Sequence, residues 1–217
     1  MLALVTVILL AFAPASLTPQ QEQGFTPVQG ATLQARQEAA AAQAAAARQP
    51  RYWTAYSFDV RPGVAVDVDY VSDDGRFSIR GTYESDGSGS YFSNDLAGLP
   101  GLETRSLGVF ALRDAAGRVE RIDVFNLARR HEYAGHPVYW AGRAANEESL
   151  GFLRGVALSG ANAYRESVAG EAVRAISLHD DRRVAETLMQ VARAATDDDV
   201  RARAVRSLAV QPQADDV

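Results

Sequence analysis

Cysteine and lysine are both missing from this 217-residue chain: the cysteine count is zero, and all 22 basic residues are arginine. Without a thiol there is no disulfide, no thiolate nucleophile and no Cys-ligated zinc site. Without a lysine, Schiff-base chemistry and phosphate-loop chemistry are excluded. Excess positive charge is lacking as well. The formal net charge is −5, and no basic block with interleaved aromatics occurs, which argues against nucleic acid as a partner. There is no Gly-x-Ser-x-Gly elbow to carry a serine nucleophile. Nor is any apolar run long enough to span a bilayer: Leu2 to Ala13, broken only by Thr6, is too short.

That run has the look of an export signal. Ala13-Pro14-Ala15 supplies small residues at the spacing a signal peptidase needs, so residues 1–15 are expected to be removed, leaving a periplasmic or secreted chain. A positive n-region is missing, and a retained anchor is the alternative. Only in that case would the chain touch a membrane. Residues 16–51 are rich in Gln, Ala and Pro, and Ala39 to Ala47 is alanine with one glutamine. Such a stretch has no apolar stripe to dock, and a disordered tether is expected.

From residue 52 to 142 the texture changes to alternation punctuated by turns. Tyr52 to Val60, Val64 to Val71, Arg76 to Tyr83, Gly108 to Arg113, Val119 to Phe125 and Val138 to Trp140 read as strands. Asp114-Ala115-Ala116-Gly117 and Ser72-Asp73-Asp74-Gly75 read as hairpin turns. With no helix between the strands, an antiparallel sheet or small sandwich is expected.

Residues 146–210 are helical in pattern, and they repeat. Ala172-Val173-Arg174-Ala175-Ile176-Ser177-Leu178 returns thirty-two positions later as Ala204-Val205-Arg206-Ser207-Leu208-Ala209-Val210. Between the copies Val184, Leu188, Val191, Ala192 and Ala195 mark one stripe of an amphipathic helix. Asp180 or Asp181 can cap that helix, and Thr196 with Asp197, Asp198 and Asp199 can cap the next. An Asn146-Glu147-Glu148-Ser149 start with Leu150, Leu153 and Ala157 behind it forms a preceding helix. Glu171 to Val210 resembles the HEAT and HEAT-like repeat family, in its A-V-R-A-I helix, acidic turn, second helix and Asp-x-x-Val-Arg lead into the next copy. A weaker likeness, from Arg118 to Ala157, is to bacterial exported proteins that place a β region before such repeats. The resemblance implies an α-solenoid edge used for binding, with no catalytic residues to carry over. Fold class is thus α+β: a β-rich region followed by a short HEAT-like array, with residues 211–217 as a tail.

The second copy stops where its partner helix is due. Either the β region closes the stack, or the chain is a fragment, or a partner covers the end around Val205 and Leu208. Candidate contact residues are therefore Arg201, Val205, Arg206 and Leu208, offered to a protein partner or to a second copy. Arg201, Arg203 and Arg206 are expected on a solvated face.

Active-site candidates are few. His131-Glu132-Tyr133-Ala134-Gly135-His136 invites comparison with the zinc-protease helix, but its spacing is i and i+5, which turns the rings about 140° apart on a helix. Gly135 and Pro137 also break a helix there. His179 sits at a helix end, where a partly charged ring complements the dipole. Asp86-x-Ser88-x-Ser90 begins like a calcium loop, but Tyr91 and Ala97 stand where glycine and glutamate are needed. Asp67 and Asp69 share one face of a strand, as the wet side of a sheet does. No pattern calls for a cofactor. The expectation is a non-catalytic interaction or scaffold module. The alternatives are an envelope small-ligand binder using Tyr52, Trp53, Tyr139 and Trp140, or a metal-dependent hydrolase using the His131 and His136 loop.

Overall fold

In a computed structural model of the protein, the described residues are 24–71, 78–84, 105–129, 131–159 and 168–211; within 65–71 and 78–84 the description is of the backbone. The 1–15 signal, the 72–75 turn, the calcium-like loop, and residues 212–217 of the tail lie outside them.

A five-stranded sheet has the order β1 (Thr26–Pro27), β7 (Val138–Arg143), β2 (Arg51–Ser57), β5 (Leu107–Asp114), β6 (Val119–Asn126). A separate antiparallel hairpin joins β3 (Val64–Val71) to β4 (Ser78–Glu84). The sheet is mixed, and this corrects the antiparallel expectation. β2, β5 and β6 are antiparallel neighbours, but β7 runs parallel to both β1 and β2. The physical reason is the segment after β6. It carries Leu127 and Tyr133 into an apolar cluster on one face of the sheet, and so delivers β7 to the far side of β2. β1 is the outer edge, with Thr26 and Pro27 both exposed and Val28 N donating to Trp140 O.

Strand alternation sorts the side chains into two cores. Tyr52, Tyr56, Val109, Ala111, Ile122, Val124, Tyr139 and Ala141 point to the helical side. Trp53, Ala55, Phe110 and Val138 point the other way, joined by Phe25, Leu127, Phe125, Tyr133 and Trp140. The second cluster is aromatic and packs edge-to-face, as with Phe25 against Phe110 at 5.9 Å and 71°. Gly108 belongs to it by necessity, since a Cβ there would meet Leu127 Cδ2 at 2.9 Å.

Five helices occur among the described residues: α1 (Leu33–Ala46), α2 (Asn146–Leu158), α3 (Val168–Ser177), α4 (Arg183–Ala194) and α5 (Asp198–Ala209). Residues 16–23 lie outside the described residues; within 24–51 the expected tether is corrected by α1. This helix buries Leu33, Ala40 and Ala44 against the sheet, and Thr32 and Glu148 accept from its first free N–H groups, at Ala35 and Leu33. Arg36 then donates to Ala141 O and Arg143 O and faces Glu148. Alanine supplied no visible stripe because its burial depends on close approach rather than on bulk. The main core is continuous from the sheet through α1 into Leu153, Ile176, Leu188, Val200 and Ala204 of the later helices. Among the described residues no helix is long and apolar enough to cross a membrane.

Candidate interaction surface

The last four helices form two parallel stacks. Arg183 donates to Glu147 at 2.6 Å and Arg154 to Gln190 at 2.6 Å, so residues seven apart on α2 meet residues seven apart on α4. On the other side Arg203 of α5 reaches Glu171 of α3 at 3.3 Å, and Gln211 donates to Ser177 O at 3.2 Å. Both pairs therefore run in the same direction. Arg203 was expected on the solvated face and is instead part of this tie; Gln211, assigned to the tail, closes the α3–α5 pair. The caps are local. Asp197 caps α5, accepting from the backbone of Asp199 and Val200; on α4 Arg182 holds the cap position, and Asp181 just before it accepts from Arg183 N. The Arg183 side chain bonds Asp181 and holds its carboxyl down to about 2. Asn146, expected to cap α2, bridges other segments: Ala145 holds the cap position, while the Asn146 side chain joins Asp59 N to Asp180 O.

At about 100° per residue, the ties to α2 and α3 also say which sides are left over. On α4, Ala185, Met189 and Ala192 lie roughly opposite Arg183 and Gln190. On α5, Arg201, Val205 and Leu208 lie roughly opposite Arg203. These residues form one face at the outer end of the stacks. Met189 is 39% and Val205 57% exposed, while Ala185, Ala192 and Leu208 are half-buried. Of the candidate contact residues, Arg201 is engaged by Asp198, Ala195 O and Thr196 O. Leu208 packs partly on the core, and Arg206 is exposed on a neighbouring side of the helix. A cavity of about 320 Å³ between α2 and α4 is a separate feature, lined by Leu150, Gly151, Arg154 and Thr187 among others.

The rival sites fare differently. Ala134 and Gly135 both have positive φ, 53° and 73°, and His136 N donates to Tyr133 O at 3.0 Å, so residues 133–136 form a tight left-handed turn and no helix carries the two histidines. His131 stacks on Phe125 at 4.4 Å and its Nε2 donates to Asn126 O at 2.8 Å, which removes that nitrogen as a metal ligand in this arrangement. Among the described residues no group of three metal-ligating side chains is found. Burial raises the Tyr133 hydroxyl to about 12. The four aromatics of the ligand-site alternative do not share a site: Tyr52 and Tyr139 meet edge-to-face on the helical side, Trp53 and Trp140 on the other.

A polar cluster that sequence reasoning missed lies beneath the helices. Tyr56 Oη is 2.9 Å from Ser149 Oγ, which is 2.7 Å from His179 Nε2; His179 Nδ1 donates to Ala175 O at 2.8 Å. The ring stacks on Phe58 at 4.1 Å. The available signal was Ser149 itself, a hydroxyl four residues before Leu153 on an apolar stripe. The serine and histidine are spaced like a nucleophile and its base, yet Ser149 is 0% and His179 1% exposed, and the α2–α4 cavity is not lined by either. Burial lowers His179 to about 4. This corrects the partly charged ring expected at the helix end: the ring is there, bonded to the terminal turn, but neutral.

Comparison with known proteins finds no matching family model, no matching curated protein and no matching solved structure.

Proposed function

We propose that the protein is an exported, non-catalytic interaction module that offers the outer end of a short HEAT-like helical array to a protein partner. The observation that carries this reading is the apolar face of Ala185, Met189, Ala192, Val205 and Leu208, in which Met189 and Val205 are left open. A contiguous exposed apolar patch rimmed by polar residues is a mark of association sites, and this face would form one around Met189 and Val205. Further support comes from the parallel ties between α2 and α4 and between α3 and α5. They give each helix pair the same polarity as the pair before it, as stacked repeats require. Export to the periplasm or out of the cell is supported by the apolar run Leu2 to Ala13 and the Ala13-Pro14-Ala15 pattern.

Light scattering of the full chain, with and without Met189→Asp and Val205→Asp together, tests the surface. Self-association, or a co-purifying protein, that is lost in the double variant while the fold is kept supports the reading. Association unchanged by both substitutions, or a monomer that retains no partner from an envelope extract, overturns it.

A further inference from the structure

The hydrogen positions in the buried cluster are fixed by its acceptors. Ala175 O can only accept, so Nδ1 of His179 carries a hydrogen. In a neutral ring Nε2 is then an acceptor, and Ser149 Oγ donates to it. Ser149 has one hydrogen, now used, so the Tyr56 hydroxyl donates to Ser149. Around this chain the backbone is fastened. Asp180 N donates to Asp59 O at 2.8 Å, Arg61 N to Leu178 O at 3.0 Å, and Val60 bridges His179. Residues 58–61 form a strap across the α3–α4 turn, with the Phe58 ring against the imidazole.

We infer that Tyr56, Ser149 and His179 form an acid-sensitive latch, in which a neutral His179 keeps the 58–61 strap closed on the 178–181 turn and a second proton releases it. A proton on Nε2 turns an acceptor into a donor. Ser149 must then accept from the ring, and one of the two hydroxyl hydrogens loses its acceptor in a site closed to water, where unmade hydrogen bonds are costly. The new charge also finds no free counter-ion. From the turn, Asp181 is held by Arg183, and Asp180 is exposed. From the strap, Asp59 is paired with Arg143, and Arg61 is itself a cation bonded to Ser177 O. On α2, Glu147 is taken by Arg183 and Glu148 by Arg36; on α3, Glu171 is taken by Arg174 and Arg203. Tyr56 from β2 is neutral, its hydroxyl held up by burial.

The sign follows from linkage. The ring's ordinary value is 6.5 and the closed value about 4, so between them the open form binds one more proton. Opening therefore grows about tenfold per pH unit as pH falls through that window, and is flat above it. This holds whichever partner the outer helical face binds.

The test is ¹⁵N NMR of the imidazole in the full chain, with amide exchange at Asp180 and Arg61 and at Val109 in the sheet, corrected for intrinsic rates. The expected result is a neutral, Nδ1-protonated His179 above about pH 5. Protection at Asp180 and Arg61 should fall about tenfold per unit below pH 6, while that at Val109 holds. A His179→Gln variant should lose that slope. A ring titrating at its ordinary value, an Nε2-protonated tautomer, or equal loss at Val109 overturns the latch; if His179→Gln fails to fold, the wild-type titration and exchange decide alone.

Discussion

The first and last helices, α1 and α5, are held in opposite ways. α1 has one large apolar residue, Leu33, yet it is clamped at both its start and its first turn: Glu148 accepts from Leu33 N, and Arg36 reaches the carbonyls that end β7. α5 is richer in Val and Leu but buries only Val200 and Ala204, and it is tied across by Arg203 alone of its arginines. Docking is therefore not read from apolar content. Small side chains permit close approach and directed polar groups fix the position, while a bulkier face can stay open.

The largest expected break in that comparison is Leu33→Ala. Loss of its buried side chain should destabilise by about 2–5 kcal/mol and expose 33–46 to proteolysis, measured by urea unfolding and limited digestion; a change too small to resolve would mean the clamps alone hold α1. Arg36→Ala comes next, at about 1–3 kcal/mol, because Ala141 O and Arg143 O lose their donor; the same unfolding curve reads it, and a neutral result would shift the weight to Leu33. Smallest is Val205→Ser on α5, expected within about 0.5 kcal/mol. A larger loss there would mean that the outer face is covered in the free protein.

How much of this was legible in the sequence varies with the physics involved. The strands followed from alternation, and β3, β5 and β6 lie within a residue of the expected spans. α4 and α5 followed from their stripes, and the start of α5 also from Asp197 as its cap. The parallel course of β7 was hidden because it depends on where the chain crosses after Leu127, and periodicity says nothing about pairing partners. α1 was hidden because Ala40 and Ala44 have too little bulk to make a stripe, and its clamps come from Glu148 and from the end of β7, more than a hundred residues away. The exposure of Val205 was legible, whereas Leu208 is half-buried against the core, and Met189 was missed because only the stacking direction brings α4 to that face. The buried chain was hidden for the same reason: Tyr56, Ser149 and His179 come from three distant elements.

Pro27 closes one more question. Val28 N points inward to Trp140 O, so successive backbone donors alternate and position 27 would aim its N–H outward, where proline has none. The border of the sheet beside β7 is thus two residues long and missing the donor that an incoming strand would need. Strand templating, the usual route from an exposed sheet border to fibrils, is blunted there by a single imino acid.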